Sequence, residues 1–303
     1  FFGSFYFSSY LPVESASYSI TTPADMEIAF TLFGSEEQKK QVKYSVVESN
    51  SSKIHTWTAK DLPENNYERG SVDMRYIMTH IQVRIQSYKY KGETKYVLRN
   101  VDDLYTYYYD FVKDVNTSGG EELKAIADSI TRDFETTEDK VREIYYWVQD
   151  NIRYVAFEAG MGGFIPRSAE LVCDRKYGDC KDMSSVLYTM INSIGIPAYY
   201  TWVGSRDIPY TYEEVPTPAV DNHMICTYFN GEDYVFLDGT GSGTIYGFPT
   251  SFIQGKQTLI GISADEYKLL TVPVLESSAS QTVDTVYVEI DGESIKGTGK
   301  VTY

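Results

Sequence analysis

The chain has 303 residues and a net charge of −16 at pH 7, from 43 acidic and 27 basic side chains. That balance argues against nucleic acid and against an anionic membrane surface as primary partners. No apolar run approaches the ~18–20 residues of a membrane-spanning helix. With 42% hydrophobic residues the chain is globular, and its length suits two or three domains better than one core. Three cysteines provide no disulfide framework and leave the compartment open. Twenty-eight tyrosines and Ser/Thr-rich edges suit an exported protein, secreted, periplasmic or associated with the cell envelope. The sequence begins at Phe1 and ends at Tyr303 inside a strand-like pattern, which reads as a fragment of a longer protein whose signal segment, if any, has been removed.

Residues 1 to about 115 read mainly as β. Ile77, Thr79, Ile81, Val83 and Ile85 alternate with Met78, His80, Gln82, Arg84 and Gln86, a half-buried strand. Segments 42–47, 54–58, 96–99 and 105–111 are further strands, and the polar stretches 34–41 and 63–71 are loops. Together they predict an antiparallel sheet or sandwich. The aromatic run 105–109 reads as two faces of a strand, with a binding strip as the sharper alternative. Asn116-Thr117-Ser118-Gly119-Gly120 is the expected linker.

Two helices follow. The first, 121–134, carries Leu123, Ile126, Ala127, Ile130 and Phe134; the second starts at a Thr136/Thr137 cap and carries Val141, Ile144, Tyr145, Val148 and Ile152. The hexapeptide Tyr177-Gly178-Asp179-Cys180-Lys181-Asp182 then opens an amphipathic helix with Val186, Leu187, Met190, Ile191 and Ile194 on one stripe, stopped by Gly195 and Pro197. Cys180 therefore sits in or beside a first turn, where unpaired N–H groups and the helix dipole favour negative charge. A cysteine so placed tends toward thiolate, the nucleophilic form.

Segments 222–229 and 232–238 read as strands joined at Asn230-Gly231. A two-residue turn there sets Phe229 against Glu232 and His223 directly against Asp238. A loop from Asn230 to Asp233 moves Asp238 opposite Ile225 and leaves the pair diagonal but still neighbouring. Either register lets a carboxylate orient an imidazole beside the nucleophile. Segment 244–273 reads as a loop-rich wrap with one strand at 259–262, and 283–290, a turn at Asp291-Gly292 and another strand close the chain.

These residues resemble the transglutaminase-like superfamily, which shares the papain-type core. The likeness lies in Tyr-Gly-Asp-Cys-Lys-Asp before a helix, Ile194-Gly195-Ile196-Pro197 after it, His223 on one strand and Leu237-Asp238-Gly239-Thr240 on the next. Residues 163–170 are similar to the loop and short helix before the cysteine in bacterial members. The resemblance runs from about Leu123 to Thr240. It implies Cys180 as nucleophile, His223 as base and Asp238 as orienter, a protein or peptide substrate, and neither cofactor nor metal. The fold expected is α+β: a papain/transglutaminase-like core at 116–275, preceded by an antiparallel β-domain at 1–115 and followed by the start of a second β-domain at 276–303. The N-terminal domain is expected to border the cleft or position a partner without supplying a catalytic group.

The sequence departs from the family in one place. No Gln or Trp stands between Asp150 and Cys180 to complete an oxyanion hole. The backbone N–H of Cys180 gives one donor, and Tyr154 and Tyr177 are candidates for the second; loss of one donor costs about 10²–10³ in rate. A catalytically inactive binding or scaffold module at the cell envelope is the competing reading. Trp202 either walls the cleft or fills the core. Cys173 and Cys226 read as core residues, and zinc is disfavoured because His223 and Cys226, three apart on a strand, point to opposite faces. Lys181 and Asp182 read as a solvated first turn, and Asp179 as a turn residue.

Overall fold

A computed structural model describes residues 2–66, 68–117, 120–156, 159–231 and 233–302. The chain divides into two units, one through Val272 and one from Pro273. The first unit begins with β1 (Phe5–Tyr6), β2 (Val13–Pro23), β3 (Glu27–Phe33), α1 (Glu36–Lys39), β4 (Lys43–Glu48), β5 (Ser52–Leu62), α2 (Met74–Ile77), β6 (His80–Tyr90) and β7 (Glu93–Tyr96). One antiparallel sheet runs β2-β5-β4, and another runs β1-β6-β3 with β7 on β6. They share a core of Ile20, Trp57, Ala59, Leu62, Ile81 and Val83. Its centre is a cross-strand aromatic row, since Tyr18 and Tyr44 both pair with Trp57 in register, the geometry in which neighbouring rings stabilise a sheet.

The strand expected from Ile77 starts only at His80. Asp73 caps the one-turn helix α2 by accepting the Arg75 N–H, which takes Ile77 out of the sheet. The polar side of β6 is covered rather than solvated. His80 Nε2 lies 2.6 Å from Tyr210 Oη and Gln82 Nε2 donates to the same hydroxyl at 3.0 Å. The expected loop at 34–41 contains α1, capped by Ser35.

The expected strand at 105–111 is a helix, α3 (Val101–Val112). Asn100 caps it through a 3.1 Å bond from the Asp103 N–H. Val101, Leu104, Tyr105, Tyr108 and Val112 form its buried face, a helical spacing hidden by consecutive tyrosines on both sides. In the expected linker, Ser118 and Gly119 lie outside the described residues. Asn116 is a tie point instead: its amide donates to Ser185 Oγ at 2.7 Å and Tyr200 Oη at 3.0 Å, and its oxygen accepts the Ala169 N–H at 2.8 Å.

The rest of the unit comprises α4 (Glu121–Thr131), α5 (Thr137–Asn151), β8 (Arg153–Tyr154), α6 (Ala169–Arg175), β9 (Tyr177–Gly178), α7 (Cys180–Ser193), β10 (Ala198–Val203), β11 (His223–Asn230), β12 (Asp233–Leu237), β13 (Gln257–Gly261) and β14 (Tyr267–Thr271). The last five strands form one antiparallel sheet ordered β12-β11-β10-β13-β14. The segment read as a loop-rich wrap thus supplies two strands, β13 and β14. Helices α4 to α7 pack with this sheet around Leu123, Val148, Met183, Leu187, Met190 and Cys226. Residues 180–187 are buried without a break, so the first half of α7 is enclosed on all sides rather than along one stripe.

In the hairpin, Asn230 pairs with Asp233 and Cys226 with Leu237. The direct His223–Asp238 register is therefore not formed; the longer connection is, with Gly231 at φ +71° in the left-handed region that suits glycine. The second unit is a hairpin of β15 (Val283–Asp291) and β16 (Ser294–Thr302), turning at Gly292, φ +62°. No helix among the described residues is long and apolar enough to cross a membrane. The fold is α+β, with a helix-and-sheet core flanked by β regions.

Candidate active site

The hexapeptide before α7 builds a helix start inside the protein. Asp179 is the N-cap, and its Oδ1 accepts the N–H groups of Lys181 at 3.0 Å and Asp182 at 3.3 Å. Asp182 returns the favour, its Oδ2 accepting the Asp179 N–H at 2.9 Å, so two carboxylates complete a capping box. The Met183 N–H bonds the Asp179 carbonyl. That leaves the Cys180 N–H as the first-turn donor the cap does not use, in the positive field of the helix end.

Lys181 and Asp182 are not solvated: they are 5% and 1% exposed. Lys181 Nζ donates to Asp179 Oδ2 at 2.7 Å. Arg167 donates its backbone N–H to Asp182 Oδ1 at 2.8 Å, its Nε to Oδ2 at 3.0 Å, and its Nη2 to the same oxygen. Burial pushes the Asp179 carboxyl up, with the Asp182 charge adding to the rise against the Lys181 bond. Burial acts on Asp182 in the same direction, but the Arg167 bonds prevail and hold it below the usual carboxylate range. Gly178 is dictated by this packing, because a Cβ there would lie 2.5 Å from the Asp182 Cβ.

His223 opens β11, and Asp238 directly follows β12. Diagonal placement suffices: His223 Nε2 lies 3.1 Å from Asp238 Oδ2. Cys180 is the ring's other ionisable neighbour, and its influence is among those that raise the His223 pKa. Asp238 Oδ1 accepts the Thr240 N–H at 3.2 Å and its hydroxyl at 2.6 Å, and Thr250 Oγ1 reaches Oδ2 at 3.4 Å. The Asp238-Gly239-Thr240 turn and the histidine contact therefore share one carboxylate. Tyr145 Oη anchors the Asp238 carbonyl at 2.9 Å. Phe252 meets the His223 ring edge-on at 5.4 Å.

Burial opposes a charge on His223, but the bond to Asp238 and the nearby Cys180 outweigh it and push the ring up to about 10. Asp238 shows the converse: burial would raise it, yet the His223 and Thr240 contacts hold it below its ordinary range. Such an arrangement keeps a carboxylate and an imidazolium side by side next to a thiol. Ser184 fixes the relative position of helix and strand. Its hydroxyl lies 2.8 Å from the Cys180 carbonyl and 3.0 Å from that of Met224, the neighbour of His223. Nothing in sequence spacing singles out Ser184, since its partner is 40 residues away.

Cys180 and His223 open onto a cleft of about 310 Å³, also lined by Tyr108, Phe164, Trp202 and Asp221. Trp202 thus walls the cleft while packing in the core cluster that contains Cys180. Tyr154 and Tyr177, the sequence candidates for the second oxyanion donor, do not line this cleft. They are held by the short parallel β8–β9 pair, where Tyr154 aligns with Gly178. Tyr154 borders a separate cavity with Lys176, Met183 and Thr240, and Arg167 lies over the Tyr177 ring at 5.6 Å. Tyr108, the fourth residue of the span 105–109 where the sequence suggests an aromatic strip, comes from the segment expected to border the cleft. It stacks on Trp202 at 5.0 Å. Asp221, two positions before His223, was not visible as a site residue from sequence; both its oxygens accept the Tyr108 hydroxyl at 2.9 Å, and Tyr212 Oη donates to Oδ2 at 2.9 Å. Cys173 and Cys226 are buried free thiols, and burial pushes them up to about 11 and about 12.

Residues 124–237 match the model of the transglutaminase-like superfamily. Among solved structures, a candidate protease from Parabacteroides distasonis is similar over 89% of this chain and 47% of its own, with 17% identity and a TM-score of 0.63; the chain spans about half the length of that protein. A candidate cysteine protease from Cytophaga hutchinsonii is 13% identical over 99% of this chain and 86% of its own, TM-score 0.36. Red sea bream transglutaminase is 12% identical over 77% of this chain and 49% of its own, TM-score 0.26. None of the curated proteins matches the chain.

Proposed function

Because residues 124–237 carry a transglutaminase-like core, we propose that the protein is a cysteine-dependent acyl-transfer enzyme acting on amide bonds of a protein or peptide. The observation that carries this reading is one imidazole bonded to Asp238 at 3.1 Å and lining the same cleft as the Cys180 thiol at a helix start. In the proposed reaction the Cys180 thiolate adds to the amide carbonyl. The Cys180 N–H supports the oxyanion, the tetrahedral adduct collapses, and protonated His223 gives its proton to the departing amine. A thioester remains. His223, now neutral, takes a proton from a second nucleophile that attacks the thioester; the carbon–sulfur bond breaks, and the Cys180 thiolate and protonated His223 are restored. Water as that nucleophile makes the protein a peptidase or amidase; an amine makes it a cross-linking transglutaminase. Asp238 orients the ring and supports its cationic form.

Residues 116–275 carry the chemistry in this reading, 1–115 border the cleft, and 276–303 begin a further β-domain. The abundant tyrosines and Ser/Thr-rich edges suit a setting outside the cytoplasm or at the cell envelope. A non-catalytic scaffold is the second reading, favoured by the lack of Gln or Trp between Asp150 and Cys180. Reaction with p-nitrophenyl acetate separates the two. An enzyme gives a burst of one nitrophenolate per chain that disappears in Cys180→Ala; no burst from wild-type protein supports the scaffold.

A further inference from the structure

Asp221 lines the same cleft as Cys180 and His223 and is half-buried. Its carboxylate is clamped by neutral donors, the hydroxyls of Tyr108 and Tyr212. Among the described residues no lysine, arginine or histidine forms an ion pair with it. Burial pushes its pKa up to about 7, against the pull of the two phenols. An acid in that state lacks a counter-charge, and placing an ion in a poorly hydrated site without one is unfavourable. The surroundings suit a cation from outside. Trp202 stacked on Tyr108 and the nearby Phe164 give the cleft aromatic walls, and ammonium groups are drawn to aromatic faces. Lys181 also borders the cleft, but its Nζ is bound to Asp179 at 2.7 Å.

We infer that Asp221, clamped by Tyr108 and Tyr212, is the recognition group for an ammonium of the substrate bound beside the acyl centre. The inference rests on the acyl-transfer reading for its biological meaning. The ammonium has two sources, a free amino terminus on the acyl donor or a primary amine that accepts the acyl group. In the second case the amine binds as its cation, gives a proton to solvent, and then attacks the thioester carbon as the thiol leaves.

The first test does not depend on Cys180 chemistry. Calorimetry compares phenethylamine with the uncharged phenethyl alcohol on wild-type protein and on Asp221→Asn, whose folding is checked by circular dichroism. The expected result is a preference for the amine of about tenfold or more, abolished in the variant. Equal binding of the two compounds by wild-type protein, no binding of the amine, or a preference retained in Asp221→Asn overturns the inference. The wild-type comparison stands even if the variant does not fold. A second test finds the source, using alanine and N-acetylalanine p-nitrophenyl esters and the partition of the resulting thioester between water and added phenethylamine. In Asp221→Asn, a loss confined to the free-amino ester assigns the amino terminus, and a loss confined to aminolysis assigns the acceptor. A loss in neither overturns the role. Failure of both esters to react with wild-type protein sinks the acyl-transfer reading instead, and the binding comparison then judges Asp221 alone.

Discussion

Replacing Asp182 by alanine probes the ion network under the nucleophile. Asp182 is 1% exposed, and its loss strips Arg167 of its Nε, Nη2 and backbone N–H acceptor and leaves the Asp179 N–H without its cap. Breaking a buried pair by removing one partner costs about 3–5 kcal/mol, because the other charge stays behind. For a unit of this size that is a fall of about 6–20 °C in the melting midpoint. The double variant Arg167→Met/Asp182→Leu removes both charges and regains all but about 1 kcal/mol, the worth of the capping bond. Urea unfolding followed by far-UV circular dichroism measures each. A loss below about 1 kcal/mol in Asp182→Ala, the value of an exposed pair, refutes the account. Acid gives the same answer by another route. The folded pKa of Asp182 is lowered, so the pair's contribution is present above the unfolded value, about 3.9, and is lost as pH falls through the folded one.

Asp238→Asn retains the fold but removes a charged hydrogen-bond partner of His223, lowering iodoacetamide labelling of Cys180 at pH 6 by about 10–100-fold; an unchanged rate removes Asp238 from the site. Asp221 makes stability fall with rising pH. The folded acid, held up at about 7, keeps a proton between about pH 4 and pH 7 that the unfolded chain has released, which amounts to a loss of up to about 4 kcal/mol across that window. Asp221→Asn removes that component of the slope, and equal urea-midpoint slopes in variant and wild-type protein between pH 4.5 and 7.5 contradict it.

Local rules made much of the core legible. The periodic apolar residues of α4, α5 and α7 and the Thr136 cap of α5 sit where a single helix carries its own signal. The hairpin was legible in its strands but not in its register, because Asn230-Gly231 and the longer connection both satisfy local turn chemistry and only packing chooses between them. Helix α3 was misread because five aromatic positions in seven hide a 3.6 period behind strand propensity. The polar contacts that shape the site were out of reach for a different reason. Arg167 meets Asp182 across 15 residues and Tyr108 meets Asp221 across 113, and no spacing rule spans such distances. Lys181 and Asp182 looked solvated because charge usually marks surface; here each charge is buried with an opposite one.

The central claim is that His223, supported by Asp238, keeps Cys180 in its reactive form. Iodoacetamide labelling as a function of pH, with the site identified by peptide mass spectrometry, tests it most directly. With His223 pushed up to about 10, the imidazolium persists beside the sulfur through neutral pH. The account predicts that Cys180 labels rapidly at pH 6, well below the titration of a free thiol at about 8.5, and that His223→Ala loses this low-pH reaction. A Cys180 labelling rate that rises only through pH 8.5, with the same profile in His223→Ala, contradicts it.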